Sequence, residues 1–492
     1  MPAQLEAPVR PHAPSDLIDL VEPAARRSRR PARSAVMLAV ILTTQLMVVL
    51  DGTIVNVALP QIQHALSFST ERLSWVINAY ALTFGGLLML GARCGDLLGR
   101  RRSYLTGVAL FAAASLIGGL STSGWMLLTA RAVQGVGGAV ASPAVLALLM
   151  SLYPDGRART RAIGTFAAVS VGGAATGLLA GGLLTDLANW RWVFFVNVPI
   201  AIAVIVLGAF VIDETPRRSG HFDLTGALTS TAGVTSMVYG FVEAASAGWL
   251  ATRTLAAFAA GAVLLTVFVR AEAKAAQPIL PLRLLTNRTR GGALVARALL
   301  SAGAYGMFFF LTQFLQDVRG YSPLEAGVAF LPIPLTIFVM SQLTTRVLVD
   351  RFPATVLMYV GLTASTIGMV IDSQLSTGSG YPILLASMLL FAGGNGISFV
   401  MLTASAVSGV DAQDAAAASG LVNVTQQLGA ALGVAVLVSV FGAASGTSAG
   451  TVAFTQGVDA VFTGAAALLA GAIAMLALAT RRPKAQAALS LQ

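Results

Sequence analysis

The chain has 492 residues, of which 56% are hydrophobic and 11% charged, and it carries a formal net charge of +10. Soluble domains carry about a quarter charged residues, so this balance excludes a soluble globular protein and points to a polytopic membrane protein. The arginines sit in short segments between apolar runs, which argues against a nucleic-acid binder, and one cysteine with three histidines leaves no disulfide framework and no metal site.

Residues 1–35 are rich in Pro and Arg and lack the apolar centre of a signal peptide, so they are expected to form a disordered cytoplasmic tail. A crossing helix needs about 20 mostly apolar residues. Fourteen runs qualify: 36–58, 74–93, 103–121, 125–151, 161–184, 192–212, 224–243, 253–270, 291–315, 323–345, 355–372, 381–403, 419–442 and 457–480. The first six make an N-terminal half over 36–212, two more are inserted within 213–290, and the last six make a C-terminal half over 291–480. Residues 481–492 are a second tail.

An even number of crossings puts both ends on one side, and with a cytoplasmic N-terminus 25 of the 31 Lys and Arg fall in inner segments. Both termini are therefore expected to be cytoplasmic. A faint internal echo supports the two halves. Asp96 precedes Gly107 by the same interval as Asp350 precedes Gly361, each pair leading from a basic loop into a new run.

Asp51 lies in the first run, within Leu50-Asp51-Gly52-Thr53-Ile54-Val55-Asn56-Val57-Ala58-Leu59-Pro60. A charge near mid-bilayer costs about 2.5–3.5 kcal/mol on insertion scales, so an acid there needs a partner or water and is a functional candidate. The loop after the second run reads Gly91-Ala92-Arg93-Cys94-Gly95-Asp96-Leu97-Leu98-Gly99-Arg100-Arg101-Arg102. Its glycines allow close approach, Asp96 is suited to the N-terminus of a neighbouring helix, and the arginines hold the cytosolic side. Asp96, Gly99, Arg100 and Arg101 are thus candidate gating residues; the alternative is that the arginines only orient the helices.

Arg131 stands in the fourth run, and at 1.5 Å per residue it and Asp51 lie roughly 10 and 13 Å from the same membrane face. Burial opposes a charged carboxyl and a guanidinium favours it, so relative movement of the two would switch proton affinity. A static ion pair is the plainer alternative. In the fifth run Gly173, Gly177 and Gly181, with Gly182 beside them, set small residues along a face at spacings of four. Such faces bring helices together in lipid. Polar or aromatic residues inside other runs, namely Asn56, Gln134, Phe309, Gln313, Asn423 and Gln427, are candidates for a substrate cavity, although interhelical bonding is the commoner use of such polar groups.

Taken together, these stretches resemble the fourteen-span drug:proton antiporter branch of the major facilitator superfamily. Leu50 to Pro60 resembles that branch's first-span signature, Ala92 to Arg102 the gating loop, Arg131 to Gly138 the span-four motif, and Gly173 to Gly182 the antiporter motif. Trp190 to Pro199 and Asn423 to Gly433 are also similar to the branch. Leu178 stands where the antiporter motif usually has proline, and Ala92, Cys94 and Leu97 depart from the gating pattern.

The resemblance implies an all-α polytopic fold of two six-helix halves plus two extra helices. It also implies alternating access, with export of amphipathic drugs or antibiotics across a bacterial cytoplasmic membrane in exchange for protons. Asp51 takes the coupling-carboxylate role and Arg131 attends it. No enzyme activity, metal or cofactor beyond the proton gradient is expected, since no Gly-x-x-x-x-Gly-Lys-Ser/Thr loop is present to hold a nucleotide. The partners expected are a small molecule, protons and lipid, with no nucleic acid, and the chain is expected to be a monomer. A proton-coupled importer is the main alternative. A non-transporting sensor is disfavoured because neither tail is large enough for an output domain.

Overall fold

The computed structural model describes residues 24–153, 156–214, 223–275, 282–376, 378–410, 415–445 and 450–480. Among them there is no strand. The long helical runs are α1 (Ala24–Leu66), α2 (Trp75–Leu98), α3 (Arg100–Gly119), α4 (Gly124–Leu152), α5 (Gly156–Leu187), α6 (Asn197–Val211), α7 (Leu224–Ala247) and α8 (Thr252–Lys274). There follow α9 (Arg288–Gln313), α10 (Pro323–Arg351), α11 (Ala354–Asp372), α12 (Tyr381–Val407), α13 (Ala415–Ser445) and α14 (Thr451–Thr480). Run α10 is interrupted at Leu331, where Pro332 supplies no N–H to continue the ladder, and it carries a widened π turn over Thr344–Leu348.

Twelve of these runs, rather than fourteen, are long and apolar enough to cross a bilayer. The two that fall short are α3, which opens on Arg100, Arg101 and Arg102, and α7, which is rich in Ser and Thr. Helix α1 begins at Ala24, so the last part of the stretch expected as a tail is helical. Residues 1–23 and the second tail, 481–492, lie outside the described residues.

The halves repeat one packing scheme. In the first, α1 packs on α4, α5 and α6, α4 packs on α2 and α3, and α3 packs on α6. In the second, α9 packs on α12, α13 and α14, α12 packs on α10 and α11, and α11 packs on α14. The glycines of the sequence echo do the same work in each. A Cβ at Gly107 would sit 2.9 Å from the Gly137 carbonyl of α4, and one at Gly361 would sit 2.7 Å from the Gly394 carbonyl of α12. The halves meet through α2 against α13, α5 against α10, and α1 against α9, and α7 lies over the α2 and α13 seam with α8 outside it.

One end of the bundle is sealed. A core spanning both halves there joins Ile54, Val57, Leu59, Trp190 and Phe194 to Phe309, Phe314 and Phe330. At that end Gln316 Nε2 donates to the Val57 carbonyl at 2.8 Å, and His64 lies 3.8 Å from Asp317. Toward the other end the packing of α5 on α10 thins out, since it is carried mainly by Pro323–Phe330. Gly164 and Gly172 face open space, and Thr165 and Thr345 are exposed.

Candidate functional site

Asp51 is fully buried, on the stripe of α1 that carries Thr44, Met47, Val55 and Ala58 inward. Arg131 and Gln134, three residues apart on α4, project from one face toward it. Arg131 Nη1 donates to Asp51 Oδ2 at 2.7 Å and Gln134 Nε2 donates to Asp51 Oδ1 at 2.6 Å. A third donor comes from the first turn of α6, where Asn197 Nδ2 reaches Asp51 Oδ1 at 3.1 Å. The carboxylate thus holds three donors from two other helices.

The arginine is held as firmly as the acid. Its Nε donates to the Val76 carbonyl of α2 at 3.0 Å, its Nη1 also reaches Gln134 Oε1 at 2.8 Å, and its guanidinium lies 4.4 Å from the centre of the Tyr80 ring. Gln134 Nε2 further donates to Ser115 Oγ of α3 at 2.8 Å. Five helices of one half therefore converge on one ion pair. A charge buried this way is tolerable only because it is both paired and hydrogen bonded. Any change in the charge at Asp51 would alter its bonds to α4 and α6 at once.

The small-residue face of α5 lies directly behind this pair. A Cβ at Gly173 would touch Leu46 and Val49, one at Gly177 would sit 3.1 Å from the Leu50 carbonyl, and one at Gly181 would sit 2.7 Å from the Ile54 carbonyl. Gly182 points elsewhere, toward α10, where its Cβ would sit 2.8 Å from the Pro323 carbonyl. Leu178, in the place of the usual proline, is buried and turns its carbonyl toward Gly327 of α10. Helix α5 thus contacts the Asp51 segment with one face and the opposite half with another.

The gating loop brings a further acid to the start of α3. The carboxylate at the start of α3 is that of Glu214, just after α6, which accepts from the Arg101 backbone N–H at 3.2 Å and lies 3.6 Å from the Arg102 side chain. Asp96 is half-buried near the end of α2. Gly99 has φ of +103°, which L side chains rarely adopt, so this position favours glycine, and its open α-carbon leaves room for the Glu214 carboxylate. Arg100 Nη1 reaches the Ala147 carbonyl at 3.4 Å and Arg101 Nη2 the Ala209 carbonyl at 2.5 Å, tying α3 to α4 and α6.

The six cavity candidates separate. Gln134 spends its amide on Asp51 and Ser115, as above. Phe309 and Gln313 are fully buried in the shared core, Phe309 edge-on to Phe310 at 4.9 Å and Gln313 Nε2 donating to the Phe309 carbonyl. Asn56 is nearly buried and donates to the Gly52 carbonyl at 3.0 Å. Gln427 lies against Gly85 across the seam between halves, and Asn423 is exposed on the same side of α13. Sequence reasoning missed Asn197, Ser115 and Glu214. The signals available were an amide inside the apolar run ahead of Pro199 and an acid closing that run.

Against known proteins, the family model described as Major Facilitator Superfamily matches residues 41–434. The chain is 41% identical to the puromycin resistance protein of Streptomyces alboniger, over 80% of this chain and 79% of the relative. It is 37% identical to the cephamycin export protein of Amycolatopsis lactamdurans, over 84% and 86%, and 35% identical to the lincomycin resistance protein of Streptomyces lincolnensis, over 83% and 84%. Among solved structures, a bacterial homolog to the human lysosomal transporter Spinster, inward-facing and unoccupied, aligns with a TM-score of 0.65 at 19% identity, over 91% of this chain and 97% of that one.

Proposed function

The chain belongs to the Major Facilitator Superfamily and is a multi-span membrane transporter rather than an enzyme, and from that membership we propose that it exports amphipathic small molecules of the drug or antibiotic kind in exchange for protons. The export direction is supported by relatives named for antibiotic resistance and export. The coupling is supported by one observation above all, the burial of Asp51 against Arg131, Gln134 and Asn197.

The cycle follows from what protonation does to that cluster. Unprotonated, Asp51 balances Arg131 and accepts from three donors. Protonated, it has no charge to offer the guanidinium, and Arg131 falls back on Gln134 Oε1, the Val76 carbonyl and the Tyr80 ring. The grip of α1 on α4 and α6 then loosens. Because α5 rides on α1 beside Asp51 and seals against α10 at the far end, a shift of α1 is carried to the closure between the halves.

With the basic loops cytoplasmic, the chain sits in a bacterial cytoplasmic membrane as a monomer with both termini inside, and the sealed end faces outward. The state is then inward-open, the one that receives cargo. One proton moving through 100 mV releases about 2.3 kcal/mol, enough to hold a cargo gradient of roughly fiftyfold. No other cofactor is required.

The test is proteoliposome transport under an imposed pH gradient. Asp51→Asn should keep its amount in the membrane and its thermal stability but lose gradient-driven transport of drug. Full gradient-driven activity in that variant would end the coupling assignment, and transport that proceeds only in the same direction as the proton would favour import instead.

A further inference from the structure

The second half contains a buried cation with no countercharge. Arg297 of α9 is 2% exposed and lies nine residues past Arg288, about 13 Å along the helix. Its neighbours are all neutral. Nη1 donates to Thr403 Oγ1 at 2.8 Å and to the Phe399 carbonyl at 3.4 Å, Nη2 donates to Gln426 Oε1 at 2.7 Å, and the guanidinium lies 4.0 Å from the centre of the Phe399 ring. Nε is buried without an acceptor. Among the described residues no carboxylate lies within ion-pair distance, whereas the first half gives Arg131 an acid at 2.7 Å.

These bonds use three of the five guanidinium N–H groups. The two left over are Nε–H and one hydrogen of Nη2, and the Nε and Nη2 edge of the plane is the fork that matches a carboxylate. The site also borders the space between the halves. On α13, Gly420 faces Met89 and Gln427 faces Gly85, both on α2, and Asn423 between them on that face is exposed. Gln426 stands one residue from this face and Phe399 is itself exposed, so the rim of the arginine pocket is open while its charge is covered.

We propose that Arg297, with Thr403 and Gln426, is the binding site for a carboxylate carried by an amphipathic cargo, whose ring or apolar body lies against Phe399. The inference rests on the export function above and narrows it, by naming the cargo class that the second half selects. Cargo would supply the missing countercharge, so binding would neutralise a buried cation that the empty protein holds at a cost. Selectivity then follows from charge, since a cationic cargo of the same shape meets repulsion at this point and must sit elsewhere in the space.

Two dyes on one xanthene ring test this with purified full-length protein, fluorescein as the carboxylate and rhodamine 123 as the cation, each titrated by fluorescence anisotropy. Wild type should bind fluorescein, Arg297→Gln should weaken it at least tenfold while rhodamine 123 changes less than twofold, and Arg297→Lys should fall between. Thermal unfolding run in parallel checks the fold, and the lysine variant keeps the test alive if the glutamine variant unfolds. Wild type that binds no fluorescein, or Arg297→Gln that weakens both dyes equally, overturns the proposal. Asp51→Asn separates this from the coupling question, because it should abolish gradient-driven transport yet leave in place the loss of fluorescein binding caused by Arg297→Gln. Persistence of the transport would sink the coupling and leave the anion site standing.

Discussion

Arg131 is held by three separate kinds of partner, an acid, a main-chain carbonyl and an aromatic face, and they are not equivalent to a simple positive charge. Lysine at this position retains the attraction to Asp51 but has no second nitrogen to reach Val76 and no plane to lie on Tyr80. Arg131→Lys is therefore expected to cut the initial rate of gradient-driven transport several-fold, and Arg131→Ala at least tenfold, with membrane insertion near normal in both. Rates normalised to protein in the membrane check this, and a normal rate with a normal pH dependence in the alanine variant would refute it. The pair itself was legible in the sequence because two charges in apolar runs must find each other, and helical rise puts them at similar depth. Asn197 and Ser115 were not, since a neutral amide or hydroxyl in an apolar run gives no sign of whether it bonds a neighbouring backbone or a distant acid. Glu214 was hidden for the opposite reason: next to the basic loops, one more acid looks like ordinary surface charge.

At the level of whole helices, the spacing of four among Gly173, Gly177 and Gly181 announced a packing face on α5 but not its partner, which is the Asp51 segment of α1. Nor did it reveal that Gly182, one residue away, serves a different helix. The matching glycine on α10 is Gly327, whose Cβ would sit 2.5 Å from the Leu178 carbonyl. Backbone cannot give way as a flexible side chain does, so Gly327→Ala should separate α5 from α10 and cost about 1–3 kcal/mol. Gly164→Ala on the open half of α5 meets nothing within 4 Å, and there the better helix propensity of alanine should leave stability equal or raise it by up to about 1 kcal/mol. Thermal unfolding in detergent distinguishes the two, and equal shifts would show that the α5 and α10 contact is not a close one. The same contrast explains why Phe309 and Gln313 resisted placement from sequence. An aromatic run in a membrane helix has the same pattern whether it meets lipid, cargo or other helices, and here its rings meet Phe330 of α10 and Phe441 of α13.

For the molecule as a whole, the repeated packing scheme makes the two contacts between halves, α2 with α13 and α5 with α10, related by exchange of the halves, so one rocking motion must act on both. The repeat was legible through only two aspartates and two glycines, because equivalent helices need share geometry, not residues. In the present state α5 and α10 touch where Gly182 meets Pro323, and their packing thins out toward Thr165 and Thr345. Closing that open end requires the touching end to separate, since two packed rigid halves cannot meet along their whole length and still admit cargo. Spin labels on cysteines at Thr165 and Thr345, in a background with Cys94→Ser, should therefore report a long distance that shortens when the protein turns over. The balance between long and short distances should respond to pH in the wild type, because proton uptake at Asp51 changes the bonds holding α1. In Asp51→Asn, whose side chain carries no charge at any pH, that response should vanish while both distances remain populated. A pH response unchanged by the substitution would mean that the switch lies in another titrating group and that the Asp51 and Arg131 pair is a fixed strut.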